Sequence, residues 1–320
     1  MDTLIAFGIA LIHKIQVLSP ALDGVMNAFT FLGKIEFYLL VVPFIYWTID
    51  SRLGMRALLL LISIDILSSN LKVLFHQPRP YWVGNVYGLT EETSYGIPSS
   101  HASDSIAVWG YFIYRFKKTW VTIVGVALVL LIGLSRLYLG VHFPHDVLFG
   151  WFIGALVLWI FVKYEERVSS WSNAQGAQKQ IGVAFAISVV VILIGQVVQM
   201  LVAGTPDPAA WSDYAIDARA ASYSFTLAGA LFGSVSGYAL MKRHAPMQSG
   251  GEWPRRIGRY LLGIVGVLVL YFGLDVFFAT LTPDETALGY TLRYLRYAIV
   301  TFWVTFIAPW VFLRIGLAKR

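Results

Sequence analysis

The sequence predicts an all-α, multi-pass membrane protein, and three observations lead to this fold class. Of the 320 residues, 58% are hydrophobic and only 13% are charged, whereas a soluble domain has about 25% charged residues. The apolar residues form long runs, and a membrane helix needs about 20 such residues. The loops between these runs hold most of the charged residues.

Residues 1–34 are interpreted as two amphipathic helices that lie in the membrane interface. The first covers residues 3–18 and is interrupted by His13 and Lys14. Because a span needs about 20 apolar residues, we expect this helix to lie along the interface; a first transmembrane helix is the alternative. The second short helix covers residues 20–32.

Nine spans are predicted after these helices. Five belong to a core at residues 35–165, and four form an extension at residues 181–320. The polar residues 165–180 between them are expected along the membrane surface. The expected spans are about 35–50, 54–76, 99–116, 119–139, 145–163, 181–203, 220–241, 257–280 and 291–315.

Basic residues give the expected orientation. Most of the 24 Lys and Arg residues lie in the loops after the odd-numbered spans and at the C-terminus. Cytoplasmic loops carry an excess of Lys and Arg, so the C-terminus is expected in the cytoplasm. Residues 77–98 and 140–145 then face outward or into a lumen. No Asn-x-Ser/Thr sequon occurs, which favours a prokaryotic source and hence the plasma membrane.

Composition also excludes several functions. The chain has no cysteine, which removes disulfides, thiolate catalysis and Cys-based metal sites. The net charge is +6, but no basic stripe with interleaved aromatic residues stands clear of the spans. Nucleic acid is therefore not an expected partner.

Three polar clusters lie at span ends on the predicted outward face. Ionisable groups are costly inside a membrane and indicate a functional site there. Because each cluster lies at a span end or in a short loop, folding can bring all three together. The clusters are Lys72-Val-Leu-Phe-His-Gln-Pro-Arg79-Pro80, Pro98-Ser99-Ser100-His101 and Ser135-Arg136-Leu-Tyr-Leu-Gly-Val-His142-Phe-Pro-His145-Asp146.

The basic residues of these clusters suit a phosphate dianion. Lys72, Arg79 and Arg136 supply three positive charges, and an arginine fork holds phosphate oxygens in bidentate fashion. Ser99 and Ser100 begin a predicted helix, where free backbone N–H groups attract an anion.

The histidines supply the reactive groups. His142 and Asp146 are four residues apart, so the carboxylate can accept a hydrogen bond from one imidazole nitrogen and leave the other as a nucleophile. His101 can protonate a leaving alkoxide. His145 is assigned a supporting role, and His76 a place on the loop surface.

Together, Lys-x6-Arg-Pro, Pro-Ser-x-His and Ser-Arg-x5-His-x3-Asp resemble the signature of the type 2 phosphatidic acid phosphatase (PAP2) superfamily. The resemblance covers about residues 20–165. It implies a phosphatase core that needs no metal or other cofactor. The roles that it implies are phosphate binding by Lys72, Arg79, Ser99, Ser100 and Arg136, general acid catalysis by His101, a phosphohistidine at His142, and orientation of that histidine by Asp146.

One residue departs from the family pattern. The second motif usually reads Pro-Ser-Gly-His, and Ser100 replaces the glycine. With Tyr95-Gly96-Ile97 before it, this variant resembles the sphingosine-phosphate and dolichyl-diphosphate phosphatase branches.

The resemblance implies a membrane enzyme that removes phosphate from an isoprenoid, glycerolipid or sphingoid phosphate or diphosphate. The expected partners are this lipid substrate and the surrounding membrane lipids. Two alternatives remain: a sugar-phosphate phosphatase of the glucose-6-phosphatase type, and a non-catalytic lipid transporter or binding protein.

Other features of the spans are interpreted as structural. Asp275 is expected to pair with Arg293 or Arg296 near the outer surface. Small residues four apart favour close helix packing; they are Gly150 and Gly154, and Gly229, Gly233 and Gly237.

Overall fold

The computed structural model describes residues 2–244 and 246–320. Within this part of the chain the regular structure is helical, and no β strand occurs. The helices are α1 (Asp2–Gln16), α2 (Asp23–Phe31), α3 (Ile35–Thr48), α4 (Ser51–Phe75), α5 (Pro80–Val83), α6 (Ser100–Phe116), α7 (Thr119–Tyr138), α8 (Pro144–Asn173), α9 (Ala177–Val202), α10 (Ser222–His244), α11 (Trp253–Ala279), α12 (Ala287–Phe302) and α13 (Ala308–Arg314). A 3₁₀ turn covers Ser212–Tyr214, and a π-helical turn, Trp303–Ile307, joins α12 to α13.

The predicted all-α, multi-span fold class is confirmed. Seven helical segments in the described residues are long and apolar enough to cross a membrane. They correspond to seven of the nine predicted spans; most ends agree within four residues, but the second and fifth spans end 7 and 10 residues later than predicted. The segments are Ser51–Val83, Thr119–Tyr138, Pro144–Asn173, Ala177–Val202, Ser222–His244, Trp253–Ala279 and Ala287–Arg314.

The other two predicted spans form helices that are too short to cross alone. Helix α3 has 14 residues and α6 has 17, which at about 1.5 Å per residue gives about 21 and 26 Å, against a hydrocarbon core of about 30 Å. Helix α3 qualifies as a span only together with α2, from which it is bent by 51°. Helix α6 buries polar residues in its first turns, including Ser103, Asp104 and Ser105.

The secondary structure of the polar segment after the fifth predicted span also differs from the prediction. We expected a separate surface stretch at 165–180, but α8 continues without a break to Asn173. Arg56 and Glu166 form an ion pair, with 2.8 Å between Nη2 and Oε1. This pair gives one polar side chain of the continuing helix a partner on α4.

The chain forms two compact units that alternate along the sequence. The first unit holds residues 1–38, 63–163 and 197–220, and the second holds the remainder. The predicted domain division at 35–165 and 181–320 stays a prediction.

The first unit brings the start of α6 close to α8. A Cβ atom placed on Gly150 of α8 would lie 2.6 Å from the carbonyl oxygen of Ser99. Real Cβ atoms do not approach oxygen this closely, so a glycine is needed for the contact. The predicted packing role of Gly150 is therefore confirmed, and the contact fixes the position of the first turn of α6.

The second unit is held by close helix packing and by hydrogen bonds to backbone carbonyls. A Cβ atom on Gly233 of α10 would lie 2.1 Å from the carbonyl oxygen of Ala298, which confirms the predicted packing stripe. The indole of Trp47 donates to Val304 O at 2.8 Å. The predicted partner of Asp275 is Arg296, with which it forms an ion pair.

Candidate active site

The three polar clusters meet in the first unit. The amide of Gly96 donates to Gln77 O at 2.8 Å, and the amide of Ser99 donates to Asp146 O at 3.1 Å. Lys72 Nζ donates to Tyr95 O at 2.8 Å. These backbone contacts join the ends of α4, α6 and α8, so residues predicted from three separate stretches form one site.

His142 lies in the tight connection between α7 and α8. Its amide donates to Arg136 O at 3.3 Å, and its side chain is 1% exposed. The imidazole Nδ1 lies 3.4 Å from Asp146 Oδ2. The same carboxylate oxygen accepts the amide of Phe143 at 2.8 Å, so Asp146 is held firmly beside the ring. Its carboxylate faces Nδ1, so Nε2 is the ring nitrogen on the side away from Asp146.

The imidazole of His142 is neutral at physiological pH. Burial is the largest cause that lowers its pKa well below the usual histidine value, and the positive charges of Arg79, Lys72 and Arg136 lower it further. A neutral imidazole carries the free lone pair that a nucleophile needs.

Arg79 contacts the reactive nitrogen of His142 directly. Its Nη1 lies 3.1 Å from His142 Nε2 and donates to Val141 O at 2.9 Å. Its Nε donates to Ser94 O at 2.6 Å, and its Nη2 donates to Ser94 Oγ at 2.9 Å. Since the guanidinium is fixed on these partners, its charge is held next to Nε2 of His142.

Arg136 lies in the last turn of α7 and is completely buried. Its guanidinium donates to the hydroxyl of Thr30 on α2 and to the carboxylate of Glu92. Its Nε has no hydrogen-bond partner among the residues that the structure describes.

The start of α6 adds further unpaired polar atoms. Ser99 precedes the first turn without capping it by its side chain. Ser99 Oγ and His101 Nε2 are buried and have no hydrogen-bond partner in the described part of the chain, and Ser100 is partly buried beside them. Buried polar atoms nearly always have a partner, so these atoms can bind a polar ligand.

Glu92 belongs to the site but was not predicted. Its carboxylate contacts Arg136, and its Oε2 lies 3.6 Å from Arg79 Nη2. The three predicted cations Lys72, Arg79 and Arg136 need a counter-charge when they are buried. This need could have directed attention to an acidic residue in the loop 84–98. It could not distinguish Glu92 from its neighbour Glu91.

A second network lies beside the site and was also missed. The Tyr95 hydroxyl donates to Asp207 Oδ1 at 2.9 Å, and Arg219 Nε donates to the Tyr95 hydroxyl at 2.9 Å. His76 Nε2 contacts the carboxylate of Asp207, and its ring packs against Tyr95, with ring centroids 4.4 Å apart. The expected place of His76 on the loop surface is therefore wrong, because Asp207, Trp211 and Arg219 contact its ring.

His145 lies beside Phe143 and Asp146, and its supporting role stays a prediction. Its ring stacks on Phe143, with centroids 5.2 Å apart, and its Nε2 lies 3.4 Å from Asp146 Oδ1. The side chain is 33% exposed.

Among the described residues, no group of three or more His, Cys, Asp or Glu side chains has an arrangement that could hold a metal ion.

Comparison with known families gives two matches. Residues 53–169 match the model of the PAP2 superfamily. Residues 225–320 match the model described as PAP2 superfamily phosphatase, transmembrane extension. The first match includes all eight residues that were predicted for the site, and the second covers most of the predicted extension.

Individual relatives cover different shares of the chain. Phosphatidylglycerophosphatase B from Bacillus subtilis is 30% identical over 172 residues, which is 49% of this chain and 83% of that protein. Lipid phosphate phosphatase delta from Arabidopsis thaliana is 26% identical over 52% of this chain, which spans only 44% of that relative's length. Sphingosine-1-phosphate phosphatase 1 from Mus musculus is 24% identical over 90% of this chain and 71% of that protein.

A search of solved structures matches the chain to the PAP2-type phosphatidylglycerolphosphate phosphatase from Bacillus subtilis. It shares 25% sequence identity, covers 52% of this chain and 89% of its own, and has a TM-score of 0.46.

Proposed function

The chain belongs to the PAP2 superfamily, and we propose that it is an integral-membrane phosphatase acting on a lipid phosphate or diphosphate. One observation carries the proposal. His142 Nε2 lies 3.1 Å from the guanidinium of Arg79, while its Nδ1 faces Asp146 at 3.4 Å. A buried neutral imidazole next to fixed positive charge has the groups that phosphoryl transfer needs.

In the first step, His142 Nε2 attacks the phosphorus atom. A P–N bond forms and the P–O bond to the lipid breaks. Burial and the neighbouring cations lower the pKa of His101 well below the usual histidine value, so in this scheme His101 takes up a proton as the phosphate dianion binds beside it and gives that proton to the leaving lipid oxygen. The Nδ1–H group of His142 donates to Asp146, which stabilises the positive charge that develops on the ring.

In the second step, a water oxygen attacks the phosphohistidine. The P–N bond breaks, a new P–O bond forms, and the proton of the water passes to His101. Inorganic phosphate leaves and both histidines return to their starting states. No metal ion takes part in this scheme.

The phosphate is held by five residues in this proposal. Arg79 and Arg136 bind its oxygens through their guanidinium groups, which concentrates positive charge where negative charge develops in the transition state. Lys72 adds a third charge. Ser100 presents the first amide of α6, where the helix dipole favours an anion, and Ser99 presents its buried hydroxyl.

A lipid is the favoured substrate for two reasons. Lipid phosphates are named as substrates of several relatives, including the sphingosine-1-phosphate phosphatase that aligns with 90% of this chain. The site also lies at the ends of helices long enough to cross a membrane, where lipid headgroups are found. We propose that this face points outward and that the C-terminus is cytoplasmic, as the distribution of Lys and Arg predicts.

A water-soluble sugar phosphate is the second candidate. The chain is 27% identical to Glucose-6-phosphatase 3 from Bos taurus over 186 residues. A sugar phosphate needs no lateral access from the bilayer, so the two candidates differ in what the purified protein hydrolyses.

The test is phosphate release by the purified full-length protein in EDTA. The panel holds isoprenoid, glycerolipid and sphingoid phosphates together with glucose 6-phosphate. We expect release from at least one lipid, loss of this release in His142→Ala, and no change in His244→Ala, which alters an exposed histidine at the end of α10. Release from glucose 6-phosphate alone would favour the second candidate. Lipid release that survives in His142→Ala would overturn the mechanism.

A further inference from the structure

The carboxylate of Glu92 lies where the substrate's phosphate is expected. It contacts the guanidinium of Arg136, and its second oxygen is 3.6 Å from Arg79 Nη2. These arginines are 0% and 1% exposed, so their charges cannot be balanced by water. Glu92 is the acidic side chain in the described residues that pairs with both of them.

The backbone of Glu92 is held by hydrogen bonds, whereas its side chain is partly exposed and can rotate. The hydroxyl of Tyr81 accepts the amide of Glu92 at 3.1 Å and donates to its carbonyl oxygen at 2.9 Å. The Glu92 side chain is 24% exposed. Rotation of the side chain alone can therefore remove the carboxylate from the arginines while the loop stays in place.

Glu92 carries its negative charge throughout the physiological pH range. Burial alone would raise the pKa of Glu92, but Arg136 and Arg79, with His101 and Lys72, lower this pKa well below the usual range. A carboxylate and a phosphate both bind a guanidinium through two oxygens. Two anions at the same guanidinium groups repel each other, so one must leave when the other binds.

We propose that Glu92 is an internal anion that occupies the phosphate position between turnovers, yields it to the phosphate of the substrate, and displaces inorganic phosphate on its return. The identity of the substrate rests on the proposed function, but the competition at Arg79 and Arg136 does not. By this account, Glu92 keeps two buried arginines paired when the site is empty and opposes product inhibition.

The proposal makes a direct prediction for the binding of inorganic phosphate. In Glu92→Gln the competing charge is gone, so phosphate and orthovanadate should bind at least about tenfold more tightly, equivalent to about 1.4 kcal/mol. The matched control is Glu91→Gln, which removes an exposed carboxylate from the adjacent position and should leave the dissociation constant unchanged. Isothermal titration calorimetry on the full-length protein in detergent measures both ligands.

Thermal unfolding gives a second measurement. Without anion, Glu92→Gln leaves two buried arginines without their shared partner and should unfold at a lower temperature than the wild type. Inorganic phosphate should then raise its melting temperature by more than it raises that of the wild type or of Glu91→Gln. If Glu92→Gln cannot be purified even with phosphate, Glu92→Asp takes its place; its shorter side chain keeps the charge but reaches the arginines less well, and the same enhanced phosphate response is expected.

The alternative role for Glu92 is to hold the two arginines in a binding arrangement. That role predicts weaker phosphate binding in Glu92→Gln, and this result, or an unchanged dissociation constant, would overturn the proposal. The binding assays need no turnover. If the wild type released no phosphate from any lipid while Glu92→Gln bound phosphate more tightly, the proposed function would fail and the role of Glu92 would stand.

Discussion

Buried arginines occur in both units, but their surroundings differ. In the second unit, Arg259 is 1% exposed and donates to three consecutive carbonyls, at Gln248, Ser249 and Gly250, over 2.7–2.8 Å. In the first unit, Arg79 and Arg136 share one carboxylate, and Arg79 also contacts an imidazole nitrogen. An arginine that donates to consecutive backbone carbonyls, as Arg259 does, holds a loop in place. Several cations that converge on one movable anion and one nucleophile form a site.

The largest difference between the units should appear when the reactive groups of the first unit are removed. His101→Gln takes away the proposed proton donor, and general acids contribute about 10²- to 10⁴-fold. We expect a loss of this size with a lipid alkyl phosphate, whose leaving oxygen needs a proton. With p-nitrophenyl phosphate, whose leaving group is stable as an anion, the loss should be much smaller. Equal losses in steady-state rates with both substrates would remove His101 from the role of acid.

The arginines themselves allow the sharpest comparison. Arg136→Lys removes the planar fork that holds phosphate, so kcat/KM should fall about 100-fold, the size of the loss of one transition-state donor. Arg259→Lys should leave kcat/KM of the folded protein almost unchanged and lower the free energy of unfolding by about 2 kcal/mol, through lost charged hydrogen bonds. Kinetics and thermal unfolding of both variants test this. If kcat/KM fell equally in Arg259→Lys and in Arg136→Lys, the assignment of Arg259 to structure and of Arg136 to phosphate binding would be wrong.

Packing behind the site should have a smaller effect. In Gly150→Ala the new Cβ would meet Ser99 O at 2.6 Å, so the start of α6 must shift. A displacement of about 1 Å can lower the reaction rate by up to about 100-fold. We therefore expect kcat/KM to fall by about tenfold. Gly182→Ala is the control, since no atom in the described residues lies within 4 Å of a Cβ there. Equal activity of the two variants would mean that the contact between α8 and α6 does not position the site.

The pH dependence of stability should show the smallest effect. The pKa of His142 is lowered in the folded protein, so below pH ~6.5 the unfolded chain binds a proton that the folded chain does not. The free energy of unfolding therefore falls as the pH decreases, and His142 contributes about 2 kcal/mol of this fall between pH 7 and pH 5. In His142→Gln the fall should be smaller by that amount. Identical pH profiles of thermal unfolding would mean that the imidazole is not held neutral.

The parts of the site that the sequence predicted are those tied to helix ends. Lys72, Arg136 and Asp146 lie one turn or less from the end of a long apolar helix, and their spacing within each motif fixes which side chains meet. The structure brings all eight predicted residues into one unit, although their chemical roles stay predictions.

The parts that were missed depend on how long loops fold. Glu92 contacts Arg136, which lies 44 positions away in the sequence, and Arg219 contacts Tyr95, which lies 124 positions away. No periodic pattern in the sequence predicts contacts at such separations. Helices α3 and α6 were interpreted as separate spans on apolar content alone, although both are shorter than the hydrocarbon core. Burial of polar residues at the start of α6 is a property of the folded unit, which local composition does not reveal.

The central claim is that His142 forms a covalent bond to phosphorus. A lipid phosphate labelled with radioactive phosphorus is mixed with excess protein, the reaction is stopped in alkali within one turnover, and the labelled peptide is sequenced. Phosphohistidine is stable in alkali and is hydrolysed in acid. The account predicts alkali-stable, acid-labile label on His142, and no label in His142→Ala. Full turnover by the wild type with no label on residue 142, or with label on another residue, would contradict it.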